Sequence, residues 1–220
     1  MPDKKICPIC NKRRAERYCP ALGEKICAVD CGTGREVSID CSSDCPYLVA
    51  AHRWEQSHPK PLAEGDVPFP DVVFSSDLIH TRQNVLSGLG YTVLPYAKEQ
   101  RSLTDMDVFM AVQSLAETRR TLLSGIYYEK PPEIPVAAGL YSALAKFIED
   151  EKKNIAEQPE FPALKDTEIF HLLVFFVRFG RLRSNGRPRT RAFIEFLRSQ
   201  FPSEVGVATE EPRIILPSTT

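Results

Sequence analysis

Hydrophobic and polar positions divide this chain into two unlike stretches. From Asp71 onward apolar residues recur at three- and four-residue steps, the spacing that turns one face of a helix inward. Val72, Val73, Leu78, Ile79, Val85, Leu86 and Leu89 fit one or two short helices ending at Gly88 or Gly90. A clearer helix runs from about Thr104 to Tyr128, with Val108, Val112, Leu115, Leu122 and Ile126 on its inner face and Pro131-Pro132 as its stop. Another spans Pro135 to Ala156 on Leu140, Leu144, Phe147 and Ile148. The next, from Glu168 to about Arg183 with Asp166 or Thr167 as cap, is apolar in nearly every direction, which predicts a central helix buried by the others. After the turn Ser184-Asn185-Gly186, residues Arg189 to Phe201 make a last amphipathic helix with Phe193, Phe196 and Leu197 inward. The pattern predicts an all-α domain of about five helices over residues 71–202, and a loose tail over 203–220.

Residues 1–58 follow no such rule. Ile6, Ile9, Tyr18, Leu22, Ile26, Val29, Val37 and Ile39 are almost their whole apolar inventory, too little for a core. The alternation from Arg35 to Asp40 predicts a short strand after a turn at Gly32 and Gly34. Cys45 to Trp54 opens a helix, with Pro46 in its first turn and Ser42, Ser43 or Asp44 as cap. Residues 59–70 carry four prolines and lack periodicity, which predicts a semi-stiff, proline-rich linker.

Cysteine supplies what the apolar residues of the first stretch cannot. All seven cysteines lie between Cys7 and Cys45, as C7-P-I-C10, Cys19, C27-A-V-D-C31 and C41-S-S-D-C45. Close cysteine pairs form knuckles that present two thiolates to one ion, and an odd count does not suit a disulfide framework. The fold class expected is therefore a small zinc-stabilised N-terminal module, residues 1–58, joined to the all-α helical domain. Two closed zinc sites need eight ligands. If the first and third pairs share an ion, Cys7, Cys10, Cys27 and Cys31 make one site. Cys19, Cys41 and Cys45 make the second, with its fourth ligand open among His52, Asp40, Asp44 and a water. His52 lies seven residues after Cys45, about 10 Å along one continuous helix.

The run R17-Y18-C19-P20-A21-L22-G23-E24-K25-I26-C27-A28-V29-D30-C31, preceded by C7-x2-C10, resembles a B-box-type zinc finger over residues 7–52. Leu22 stands where that pattern has a ligand, the second knuckle has three intervening residues, and Cys41 and Cys45 replace the closing histidines. The resemblance implies two Zn2+ ions in a cross-braced arrangement and a role in protein-protein contact.

Charge and the remaining motifs narrow the function. A formal net charge of -1 gives no global argument for nucleic acid or membrane. No apolar run reaches the roughly 18 residues of a membrane span, and MPDKKICPIC is not a secretory signal, so a cytoplasmic protein is expected. Cysteine-dominated ligands point to structural rather than catalytic zinc. Glu168-Ile-Phe-His171 is an E-x-x-H step of the kind found in di-iron bundles, but it has no second copy here. A metalloenzyme of the helical domain is accordingly the weakest reading. Arg178, Arg181, Arg183, Arg187, Arg189, Arg191 and Arg198 are countered locally only by Glu195. With Lys4, Lys5, Lys12, Arg13, Arg14 and Arg17 they make nucleic-acid binding the alternative. The favoured expectation is a non-enzymatic zinc protein that contacts a protein partner.

Overall fold

The computed structural model describes residues 5–158, 160 and 162–201; Lys4 and the expected tail at 203–220 lie outside them. The N-terminal module begins with a tight loop in which Cys7 donates its N–H to the Arg13 carbonyl and Ala15 to that of Lys5, both at 2.8 Å. Strand β1 (Arg17–Cys19) pairs antiparallel with β2 (Glu24–Ile26), Arg17 opposite Ile26 and Cys19 opposite Glu24. Gly23 supplies the positive φ of 69° that this short turn requires. Two helices follow, α1 (Ala28–Gly34) and α2 (Pro46–Ser57).

No strand forms over residues 35–40, apart from one isolated bridge between Arg35 and Ile39. The Gly34 carbonyl instead accepts the N–H groups of Val37, Ser38 and Ile39 at 3.1, 3.0 and 2.8 Å, which curls the segment into a loop. Glu36 sits inside that loop with φ 54° and is 2% exposed, whereas Val37 faces out. The alternation misled because a charged residue, not an apolar one, occupies the buried position.

The helical domain comprises α3 (Ser76–Thr81), α4 (Gln83–Glu99), α5 (Asp105–Leu123), α6 (Pro135–Ala156), α7 (Asp166–Arg183) and α8 (Ala192–Gln200), six helices where about five are expected. Helix α4 continues through Gly88 and Gly90 because those glycines serve packing, not termination. The Phe147 ring fills the space a Cβ at position 88 would need, and Leu197 closes on Gly90. Helix α5 opens with a capping box between Thr104 and Asp107. It stops at Leu123, short of the expected Tyr128, where Gly125 turns the chain at φ 79°. Ile126, Tyr127 and Tyr128 are consequently exposed. The densest packing lies between α5 and α7, with α6 against α5, and α4 against α6 and α8. The expected central helix therefore shares the centre with α5.

Helices α5 and α8 cap each other. Arg191, at the start of α8, contributes no side-chain cap. The fully buried Asp105 carboxylate accepts the N–H groups of Phe193 and Ile194 at 2.9 and 3.2 Å and the Ser184 hydroxyl at 2.8 Å. Its own N–H donates to the Thr190 carbonyl at 2.9 Å. Burial pushes this carboxyl up to about 7, outweighing the three bonds that favour its charged form.

The two units meet through polar contacts. Glu36 binds His52 Nε2 at 2.9 Å through one carboxylate oxygen and Asn185 Nδ2 at 2.8 Å through the other. Its main-chain carbonyl takes the Arg189 N–H at 3.0 Å. Asn185 also reaches Glu55 at 3.0 Å, and Arg187 Nη1 donates to the Gly32 carbonyl at 3.0 Å. The proline-rich segment is fastened as well. Arg178 donates to the carbonyls of Pro68, Phe69 and Val72, and Arg181 to that of Asp66.

Two outcomes follow from these contacts. Asp105 has a folded pKa above its ordinary 3.8, so the folded chain holds the extra proton between those values. Its contribution is complete below 3.8 and fades as pH rises through about 7. The stability difference between wild type and Asp105→Asn, read by urea unfolding, should therefore change steadily between about pH 4 and pH 7 and level off on either side. Glu36→Ala should cost about 2–4 kcal/mol by leaving His52 and Asn185 without their shared acceptor. Amide exchange should speed up at residues 184–191 while the α5–α7 core stays protected.

Candidate metal centre

The first cysteine pair is shaped by main-chain turns. Asn11 donates its N–H to the Cys7 carbonyl at 2.8 Å and adopts a left-handed φ of 51°, so the chain folds back over the Cys7–Cys10 knuckle. Cys27 arrives just after β2 and is the N-cap of α1, its sulfur accepting the Asp30 N–H at 3.3 Å. That geometry brings the Asp30 side chain back over the cap. The Cys7 and Cys27 thiols lie 3.1 and 3.0 Å from Asp30 Oδ2, each donating to it.

One ligand atom from each of Cys7, Cys10, Cys27 and Asp30 lies within 4.8 Å of the others. A tetrahedron with metal–sulfur bonds of about 2.3 Å has edges of about 3.8 Å, so the four donors are near the separation a zinc ion demands. Three soft thiolates with one carboxylate suit zinc, and four protein donors close the coordination shell. The surroundings favour anions. Burial raises the Cys7 thiol, but main-chain amides of Cys10, Cys27 and Ile9 bring it below its ordinary value. At Cys27 burial prevails and the thiol is raised. Bonds from Cys10, Cys27 and Cys7, with Arg13 nearby, hold Asp30 down at about 2. Arg13 stands 3.5 Å from Asp30, where it would offset the negative charge of three thiolates and a carboxylate around a divalent ion.

Asp30 takes the place expected of Cys31. Positions three and four after Cys27 both lie on its side of a helix, so the spacing admits either residue, and it is the Asp30 carboxylate that stands with Cys7, Cys10 and Cys27. Cys31 turns instead toward Arg17, whose Nη1 is 3.8 Å from its sulfur. The signal was present in Cys27-Ala-Val-Asp30, which repeats the spacing of Cys7-Pro-Ile-Cys10 with a carboxylate in the last position. His52 is not gathered with the cysteines of this group; it is buried against Glu36. Burial lowers the proton affinity of its ring, but the bond to Glu36 outweighs this and raises it. Cys19 and Cys45 are buried and Cys41 is half-buried, all three apart from the first set.

Cys7, Cys10, Cys27 and Asp30 are the one group of three or more such ligands drawn together among the described residues. The E-x-x-H step is otherwise engaged, Glu168 binding Arg82 and the Lys165 N–H, each at 3.1 Å. The arginine-rich segment is largely directed inward. Besides Arg178, Arg181 and Arg187, Arg191 donates to the carbonyls of Leu103 and Arg101. Arg183 lies over the rings of Phe179 and Phe196 at 5.2 and 4.8 Å. No helix among the described residues is long and apolar enough to cross a membrane.

Comparison of the chain with protein-family models, curated proteins and solved structures finds no match in any of the three. The likeness of residues 7–52 to a B-box finger rests on its motif.

Asp30 offers a direct measurement. Asp30→Ala should weaken zinc binding by more than the roughly 10–100-fold that follows loss of an outer-shell partner. Asp30→Cys should restore it. Competition with a chromophoric chelator reads both.

Proposed function

We propose that this chain is a zinc-binding, non-enzymatic protein whose metal-folded module presents a contact surface for a protein partner from one end of a helical domain. The observation that carries this reading is the donor set of Cys7, Cys10, Cys27 and Asp30 within 4.8 Å. Four protein ligands suit a structural ion, because a catalytic zinc keeps one position for water or substrate.

Contact with a protein is supported by what the module leaves outside. Ile6, Ile9, Tyr18, Leu22 and Val29 are all exposed within a unit that buries few apolar side chains. Exposed apolar groups on a rigid frame are the usual material of an interface core, with polar residues at its rim. Lys5, Lys12, Arg13, Arg14 and Lys25 are exposed on the same module, with Glu16 and Glu24 among them, so the partner surface that fits is apolar with a charged, chiefly acidic rim. The guanidinium groups that made nucleic acid the alternative are engaged chiefly with main-chain carbonyls and aromatic rings of the chain itself.

Metal analysis and contact mapping test this reading together. The purified full chain should carry zinc, and proximity labelling should give a set of neighbours lost both after chelation and in the Tyr18→Ser/Leu22→Ser variant. Both substituted side chains are exposed, so the variant should keep its zinc. Metal-free protein, or a neighbour set indifferent to both treatments, would sink the proposal.

A further inference from the structure

With Asp30 counted in the first set, four thiols remain: Cys19, Cys31, Cys41 and Cys45. Seven cysteines and one aspartate make eight donors, the number that two closed tetrahedral sites require. We propose that Cys19, Cys31, Cys41 and Cys45 form a second, all-thiolate zinc site within the N-terminal module, without His52, that fixes the loop and helix from which the module contacts the helical domain. This rests on the zinc-binding reading above.

Arg17 marks where the four approach. It lies on β1 two residues before Cys19, and side chains two apart share a face of a strand. Its guanidinium reaches the Cys31 sulfur at 3.8 Å and sits 4.8 Å over the ring of Tyr47, two residues beyond Cys45. One side chain thus touches the surroundings of Cys19, Cys31 and Cys45. Cys41 joins from the adjoining loop, where it packs against the small cluster that holds Cys19, Ile26 and Ile39. Cys45 is the N-cap of α2 yet makes no side-chain cap bond, so its sulfur is not spent on the helix. The four sulfurs are not gathered as closely as the first set; an ion would draw them together. Arg17 would then offset the charge of four thiolates, as Arg13 would at the first site.

The location gives this ion a distinct role. Cys41 packs against the cluster that holds Ile39 of the loop carrying Glu36, and Cys45 begins the helix that carries His52 and Glu55. Glu36 and Glu55 both meet Asn185 of the helical domain. An ion bridging Cys41 and Cys45 to Cys19 and Cys31 would lock the groups that make the junction, whereas the first site shapes the module's far loop.

Elemental analysis of the full-length protein tests the proposal. Wild type and His52→Ala should each hold two zinc ions per chain, and Cys31→Ser, Cys45→Ser and Cys10→Ser should each hold one. Cobalt substitution separates the survivors: Cys10→Ser should keep the bands of a four-thiolate centre, and Cys31→Ser should show only a three-thiolate, one-oxygen centre. Amide exchange at residues 184–191 should rise in Cys31→Ser. Should that variant fail to fold by circular dichroism, Cys31→Asp keeps a ligand and should retain two ions with a changed cobalt spectrum. One ion in wild type, or two in Cys31→Ser, overturns the second site and leaves the zinc reading standing. No ion in wild type removes both.

Discussion

A carboxylate buried between two folding units is unfavourable unless its oxygens are fully used, and Glu36 uses both. His52 lies on one side, Asn185 on the other, and the Arg191 N–H approaches at 3.4 Å. The loop that delivers this side chain holds Glu36 at φ 54°, a conformation that costs a non-glycine residue roughly 1–2 kcal/mol. The conformation is held because the Gly34 carbonyl gathers three N–H groups around it. The module and the helical domain keep separate apolar clusters, one around Cys7, Ile26 and Ile39, the other built from α4 to α8. Their mutual orientation thus depends on directional polar bonds. Such a seam tolerates little error, since moving either unit leaves a buried charge without its partners.

Much of the helical domain was legible because helices write their packing into a local period. Leu140, Leu144 and Ile148 are buried on α6, and Pro135 begins that helix as the pattern predicts. Periodicity says nothing of why a glycine is present, which is why Gly88 read as an end and proved to be a packing site for Phe147. It also cannot see partners distant in sequence. Arg178 and Arg187 stood out only as part of an arginine-rich stretch, and the carbonyls that receive them lie more than 100 positions away. In the module, knuckle spacing pointed to Cys7, Cys10 and Cys27, which the fold gathers, but not to the fourth donor beside them. Counting only cysteines passed over Asp30, although the same two-residue gap that pairs Cys7 with Cys10 pairs Cys27 with it.

The module's chemistry also bears on its helix starts. Both start on a cysteine, α1 on Cys27 and α2 on Cys45. The first turn of a helix leaves unpaired N–H groups and a partial positive charge, which favour an anion beside them. The Cys27 sulfur meets that need by accepting the Asp30 N–H, whereas Cys45 makes no cap bond and keeps its sulfur free of the helix. Arg13 beside the first centre, and Arg17 beside Cys31, add whole positive charges from the loop and strand that precede the helices. With so little apolar surface to bury, a module that holds zinc as proposed would draw much of its folding free energy from the metal, on the order of 10 kcal/mol per ion. Placing the anionic ligands at helix starts and next to arginines lowers the cost of ionising them. On the proposed zinc reading the same residues would set secondary structure, metal affinity and, through Glu36 and α2, the angle at which the module meets the helical domain.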